Sequence, residues 1–142
     1  PVTLRDPLAE LLGAAEGGLI EYRFADAVRL AGHSCPTVAG AWLMTVRALR
    51  ALYGDEIPER GNIAVALRES LDSGVAGVIA SVAGLLIGAA GADEKDWGAA
   101  LSSDGCVTAH RISDLSAAGS LSAGTAEKVY LEFVLFNTAV PD

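Results

Sequence analysis

The chain has 142 residues, of which 51% are hydrophobic and 20% are charged, and its formal net charge at pH 7 is −8. This length predicts one domain, residues 1–142, with a single hydrophobic core. A net negative charge without any run of Lys or Arg excludes the electrostatic attraction on which binding to nucleic acid or to an anionic membrane depends. We therefore expect a soluble globular protein.

Two short helices are predicted near the N-terminus. The first begins at Asp6-Pro7, a capping residue followed by a proline in the first turn, and its leucines recur at helical spacing until Gly17-Gly18. The second has apolar residues on one face between Phe24 and Ala31, and Gly32 ends it. It leads the chain directly to a His-Ser-Cys-Pro block.

The longest predicted helix follows that block. Pro36 suits the first position of a helix, and Gly54 closes the segment. Arg47 and Arg50 lie off its apolar face and are expected to be exposed. The apolar face consists of Val38, Trp42, Thr45, Val46, Leu49 and Leu52.

A strand and an apolar helix are predicted next. Alternation places Ile63, Val65 and Leu67 on one side of a strand. The segment from Val75 to Ala92, with Asp72 as its N-cap, is uncharged and meets the lower length limit for a membrane-spanning helix. Because it consists mostly of small residues and has acidic flanks, we interpret it as a buried helix packed against a sheet or against a second copy of the chain.

The C-terminal third is predicted to contain two strands. A polar, glycine-rich stretch over residues 92–105 precedes a strand at 106–112, and a flexible connection leads to a second strand at 127–137. The last strand is apolar on both faces, which is typical of an interior strand or one covered by a partner. The predicted elements follow the order helices, strand, helix and strands, and this order predicts an α+β fold.

The two histidines and two cysteines form two pairs, His33-x-Cys35 and Cys106-x-x-x-His110. Residues two apart project to the same side of an extended segment, and residues four apart do so on a strand or a helix. Each pair is therefore able to supply two ligands from one side. Cys35 would cap the helix that begins at Pro36, where unpaired N–H groups and the helix dipole stabilise a thiolate.

This donor set predicts a metal site. Sulfur and imidazole nitrogen suit zinc first, with iron and copper as alternatives. We predict zinc bound by His33 and Cys35, with Cys106 and His110 as the candidates that complete the site. The protein would then be a metal-binding domain, because no general acid or base is evident beside the ligands.

Several other interpretations stay open. His33 would also suit the end of a helix, and Cys35 a small buried position or a disulfide with Cys106 in an exported protein. Cys-Pro also occurs as an axial haem ligand, which makes haem the alternative cofactor and redox or gas chemistry the alternative function. A metalloenzyme acting on a small molecule is a further alternative, with Glu132 or Asp26 moving protons.

At LAGHSCPTVAGAW, residues 30–42, the sequence resembles the formylmethanofuran dehydrogenase E-subunit-like family, whose members carry a His-Gly-His-x-Cys-Pro-Gly block before a long helix. The likeness extends from the helix before the block to the small-residue helix. It implies an α+β fold with a mixed sheet, a dimer, and a metal held by His33 and Cys35. Ala31 stands where the family often has its first histidine, and Thr37 replaces the glycine after Cys-Pro.

Two expectations concern the whole protein. The apolar segment from Val75 to Ala92 and the two-sided last strand give a small domain more apolar surface than it can easily cover, so we expect a homodimer. The chain begins at Pro1 without a methionine, so any leader peptide has been removed or is not part of this sequence, and the N-terminus does not reveal the location. The location is therefore unknown, and we favour the cytoplasm.

Overall fold

The structure of the protein is a computed structural model that describes residues 1–67, 76–91, 99–103, 108–111 and 129–130. Helices and strands both occur from the first residues onward. The helices are α1 (Pro7–Leu11), α2 (Phe24–Ala31), α3 (Pro36–Tyr53) and α4 (Ala76–Ile87). The strands are β1 (Val2–Arg5), β2 (Leu19–Tyr22), β3 (Ile63–Leu67), β4 (Ala89–Gly91), β5 (Ala99–Ser103), β6 (Thr108–Arg111) and β7 (Val129–Tyr130).

The described strands form two sheets. β1 and β2 are an antiparallel pair, and the larger sheet has the order β4-β5-β3-β6-β7. Within it β3 is parallel to β5 and antiparallel to β6, so both pairing types meet at one strand. The predicted α+β class is confirmed, and the sheet is mixed.

One cluster of buried side chains joins the helices to the sheets. The long helices α3 and α4 pack against each other and supply most of the cluster, while β1, α2 and β3 contribute the rest. The members are Leu4, Ala27, Val38, Ala41, Trp42, Ala48, Leu49, Tyr53, Ile63, Val65, Ala80, Val82, Leu86 and Ile87.

Helix α3 agrees with its sequence-based prediction at both ends. Pro36 is the first helical residue, and the N–H of Gly54 bonds to the carbonyl of Arg50 as the helix ends. The predicted face is buried or packs against the core, while Arg47 and Arg50 are exposed. The helical period of the apolar residues was sufficient to predict this helix, because it is long. The residues at its two ends have strong local preferences, which fixed its limits.

The small-residue helix ends earlier than predicted. Gly88 has a φ of +71°, which stops α4 at Ile87, and the next three residues form β4 beside β5. Ala and Gly do not distinguish a helix from a strand by periodicity, so the boundary depended on pairing with β5. Within the described ranges, no helix is both long and apolar enough to cross a membrane.

The N-terminal region differs most from its prediction. β1 and β2 were not predicted, because each has only four residues, and the predicted amphipathic helix is the five-residue α1. The Asp6 cap is confirmed: Oδ1 accepts hydrogen bonds from the N–H groups of Leu8 and Ala9. The leucine stripe is nevertheless exposed, with Leu11 at 81% and Leu12 at 71%.

In the C-terminal third, β5 lies in the stretch that was expected to be a polar connection. β6 falls inside the first predicted strand, and β7 is the part of the last predicted strand that is described. The predicted cap Asp72, together with Cys106 and Glu132, lies outside the described residues.

Candidate metal-binding site

The His-Ser-Cys block begins where α2 ends. Gly32 adopts a left-handed conformation with a φ of +80°, and its N–H bonds to the carbonyl of Val28 at 2.8 Å. That conformation favours glycine and turns the chain sharply away from the helix axis. As a result, His33 lies beside the C-terminal carbonyls of α2.

The imidazole of His33 is held by one of these carbonyls. Its Nδ1 lies 3.0 Å from the oxygen of Ala31, and because a carbonyl only accepts, Nδ1 carries the hydrogen. The contact with Ala31 is the main cause that raises the pKa of His33, and the Cys35 side chain adds to the increase. In the neutral ring this arrangement leaves the lone pair on Nε2.

Cys35 occupies the N-cap position of α3 as predicted, with extended backbone angles, and its half-buried thiol is free. The pKa of the thiol is lowered, first by the N–H of Val38; burial opposes this, and the N–H of Thr37 and the imidazole of His33 lower it further. No cap hydrogen bond of standard geometry joins the side chain to the first turn.

A cavity of about 210 Å³ lies beside His33, between the end of α2 and the first half of α4. Most of its lining is apolar, and the polar side chains are those of His33 and Ser81. The hydroxyl of Ser81 donates a hydrogen bond to the carbonyl of Gly77 at 2.8 Å. The Ser81 oxygen can therefore take part in a further hydrogen bond only as an acceptor. The lining residues are Leu30, Ala31, His33, Gly77, Val78, Ser81 and Val82.

The structure brings His33 and Cys35 together, but it does not test the other two predicted ligands. His110 lies in β6, where its backbone pairs with that of Ala64 in β3. Cys106 is outside the described residues. Within the described ranges, no group of three or more His, Cys, Asp or Glu side chains is close enough to hold a metal ion.

The side chain of Asp26 stabilises the N-terminal end of α2. Its carboxylate accepts a hydrogen bond from the N–H of Arg23 at 2.8 Å and pairs with Arg29 at 3.3 Å, which caps α2 at its N-terminus. These contacts lie at the N-terminal end of α2, whereas the imidazole of His33 contacts the carbonyl of Ala31 at the C-terminal end of the same helix.

Sequence reasoning did not identify the contribution of α4 to the surroundings of His33. Val78, Ser81 and Val82 recur at helical spacing on α4, but the sequence contains no signal that this face borders the end of α2. No family model, curated protein or solved structure matches the chain.

Proposed function

We propose that the protein is a metal-binding domain, with zinc as the metal and His33 and Cys35 as ligands. The observation that carries the proposal is the hydrogen bond between Nδ1 of His33 and the carbonyl of Ala31, at 3.0 Å. Histidines that bind metals commonly donate their second ring N–H to a carbonyl or carboxylate, which fixes the ring and directs the other nitrogen to the metal. His33 has this arrangement.

The thiol of Cys35 supports the same assignment. A thiolate is the form that binds metals, and the lowered pKa of Cys35 increases its population at neutral pH. Thiolate sulfur and imidazole nitrogen are the donors that zinc prefers. Because both groups lose protons on binding, we expect the affinity to fall as the pH is lowered.

The resemblance to the formylmethanofuran dehydrogenase E-subunit-like family points to the same two ligands and is part of this proposal. A closed zinc site requires two more protein donors. Within one chain, Cys106 and His110 are the predicted candidates.

A metalloenzyme acting on a small molecule is the second candidate function, and the cavity beside His33 favours it. An enzyme would keep one coordination position open for water or substrate. The cavity, at about 210 Å³, is smaller than the sites of roughly 300–1,000 Å³ that hold drug-sized ligands, so a substrate bound there would be small.

Metal analysis tests the proposal. The protein is stripped with a chelator, dialysed against zinc or cobalt, and assayed for bound metal. We expect the wild type to retain metal and the double variant His33→Ala, Cys35→Ala to lose it. With cobalt, a thiolate-to-metal absorption band should be present in the wild type and absent in the variant.

Ser34→Ala is the matched control, because Ser34 is exposed and lies between the two ligands. It should bind metal as the wild type does. Equal metal content in the wild type and the double variant would contradict the proposal. A strong Soret band in the protein as purified would replace zinc with haem.

A further inference from the structure

The cavity between the end of α2 and the first half of α4 has an apolar interior and opens to solvent. Val82, which borders it, is fully buried, whereas Leu30 and Ser81 on the same lining are exposed. A small molecule is therefore able to reach the interior directly from the surface.

The size of the cavity limits what it is able to hold. An apolar cavity of about 150 Å³ holds one benzene molecule. At about 210 Å³ the cavity suits a single six-membered ring with one small substituent, or an aliphatic chain of similar volume. Leu30, Val78 and Val82 line it with aliphatic carbon, which matches a ligand with an apolar body.

The charge of the lining favours a neutral ligand. Among the described residues that border the cavity, there is no Asp, Glu, Lys or Arg. A charged ligand that left water for this site would lose hydration without gaining an oppositely charged carboxylate, ammonium or guanidinium partner. The imidazole of His33 bonds through Nδ1 to the carbonyl of Ala31, and its Nε2 is the atom assigned to zinc in the proposed function.

Ser81 determines which polar group the ligand should carry. Its hydroxyl already donates to the carbonyl of Gly77, so Oγ is left as an acceptor. A ligand group that bonds to Oγ must be a donor, and a hydroxyl is a compact donor without charge. This acceptor is present whether or not a metal is bound to His33.

We propose that the cavity binds a small neutral molecule with an apolar body and one hydroxyl group, and that this hydroxyl donates to Oγ of Ser81. Phenols and short alcohols belong to this class. The inference goes beyond the proposed function, because it rests on the cavity and on Ser81 and not on a metal.

Titration of the metal-free full chain with benzyl alcohol, followed by amide NMR shifts, tests the inference. We expect shifts that saturate and are concentrated in residues 30–33 and 77–82. Benzylammonium and benzoate have nearly the same shape but carry a charge, and both should bind more weakly than benzyl alcohol.

Ser81→Ala tests the hydrogen bond. Toluene lacks the hydroxyl group, and the ratio of the affinities for benzyl alcohol and toluene cancels most effects of the substitution on the cavity itself. This ratio should fall by about threefold to tenfold in Ser81→Ala, as expected for the loss of one hydrogen bond. Ser34→Ala is the matched control, because Ser34 is exposed and lies outside the cavity lining, and its ratio should equal that of the wild type.

Val78→Trp tests the cavity by filling it. Val78 is half-buried on the lining, and a larger side chain there should abolish binding of both benzyl alcohol and toluene. Leu43→Trp is the control, because Leu43 is 47% exposed on α3 outside the lining, and it should bind both ligands as the wild type does. Circular dichroism melting checks that each variant folds.

Each part of the proposal has an outcome that overturns it. Shifts that do not saturate, or benzyl alcohol binding that persists in folded Val78→Trp, would exclude the cavity as the site. An unchanged affinity ratio in Ser81→Ala would exclude the hydrogen bond, and tighter binding of benzylammonium or benzoate would exclude a neutral ligand. Benzyl alcohol binding by a chain that retains no zinc would overturn the proposed function alone, whereas zinc retention without benzyl alcohol binding would overturn this inference alone.

Discussion

Arg60 shows how one side chain connects distant parts of the fold. Its guanidinium pairs with Asp6 at 2.9 Å and donates to the carbonyl of Leu85 at 3.1 and 3.3 Å. The same group lies 5.9 Å from the ring centroid of Tyr22. A cation at the C-terminal end of a helix interacts favourably with the helix dipole, so Arg60 stabilises the end of α4 while it holds β1 and β2 nearby.

Arg60→Met should destabilise the protein by about 1–3 kcal/mol at neutral pH. The side chains of the pair are only 25% and 13% exposed, and loss of the guanidinium leaves the Asp6 carboxylate and the Leu85 carbonyl without this donor. Urea unfolding measures the change. Arg47→Met is the control, because Arg47 is exposed on α3, and it should be within about 0.5 kcal/mol of the wild type.

The same pair predicts a pH dependence. Burial by itself would raise the pKa of Asp6, but the N–H of Ala9 and the guanidinium of Arg60 outweigh it, and the pKa lies below its ordinary value of 3.8. The ionised carboxylate therefore stabilises the fold above that pH, and the contribution is lost as the pH falls below it. The difference in the free energy of unfolding between the wild type and Arg60→Met should become smaller in acid. A difference that stays constant with pH would contradict the role given to the ion pair.

At the scale of elements, the N-terminal region is organised by close backbone contact. β1 and β2 run antiparallel, and the N–H of Asp6 bonds to the carbonyl of Gly18 at 2.7 Å. Gly18 has a φ of +71°. A Cβ there would lie 2.5 Å from the carbonyl oxygen of Asp6, so the approach of the two segments requires glycine.

A comparison of Gly18→Ala with Gly13→Ala separates the energetic cost of a steric clash from the cost of an unfavourable backbone conformation. Both glycines have positive φ, but a Cβ at Gly13 meets no atom within 4 Å. We expect Gly13→Ala to cost about 1 kcal/mol and Gly18→Ala to cost about 1–3 kcal/mol more, measured by thermal or urea unfolding. Equal effects at the two positions would mean that the contact with Asp6 relaxes without cost.

At the scale of the whole molecule, one core depends on α3 and α4. α3 begins with Pro36 and has Gly54 as its C-cap, whereas α4 consists of small and aliphatic residues, about half of which are buried. The core also includes Leu4 from β1 and Ala27 from α2. Because α2 is attached to this core, the His33–Cys35 block is fixed between α2 and α3.

Leu86→Ala should destabilise the whole domain by about 2–5 kcal/mol, since Leu86 is fully buried on α4 and its truncation leaves a cavity in the shared core. Leu43→Ala is the matched control on α3, where the side chain is 47% exposed, and it should cost much less. Chemical unfolding followed by circular dichroism and by tryptophan fluorescence should report the same transition. Separate transitions would indicate that α4 is not part of one cooperative unit.

Local signals in the sequence were sufficient for several features. Asp6 and Cys35 were placed as helix caps, Gly32 and Gly54 as helix ends, and α3 over its full length, because capping preferences and an apolar period act within a few residues. The α+β class followed from the order of the elements. The proximity of His33 to Cys35 could also be predicted from the sequence, since the two residues are only two positions apart.

Tertiary contacts decided the rest. β1 and β2 are too short to be recognised alone and exist through their mutual pairing, and β4 is distinguished from the end of a helix only by its partner β5. Arg60 reaches Asp6 across 54 positions of the sequence, and Ser81 borders His33 through the packing of α4 on α2. Such contacts depend on which surfaces the folded chain brings together, and neither propensity nor periodicity carries that information.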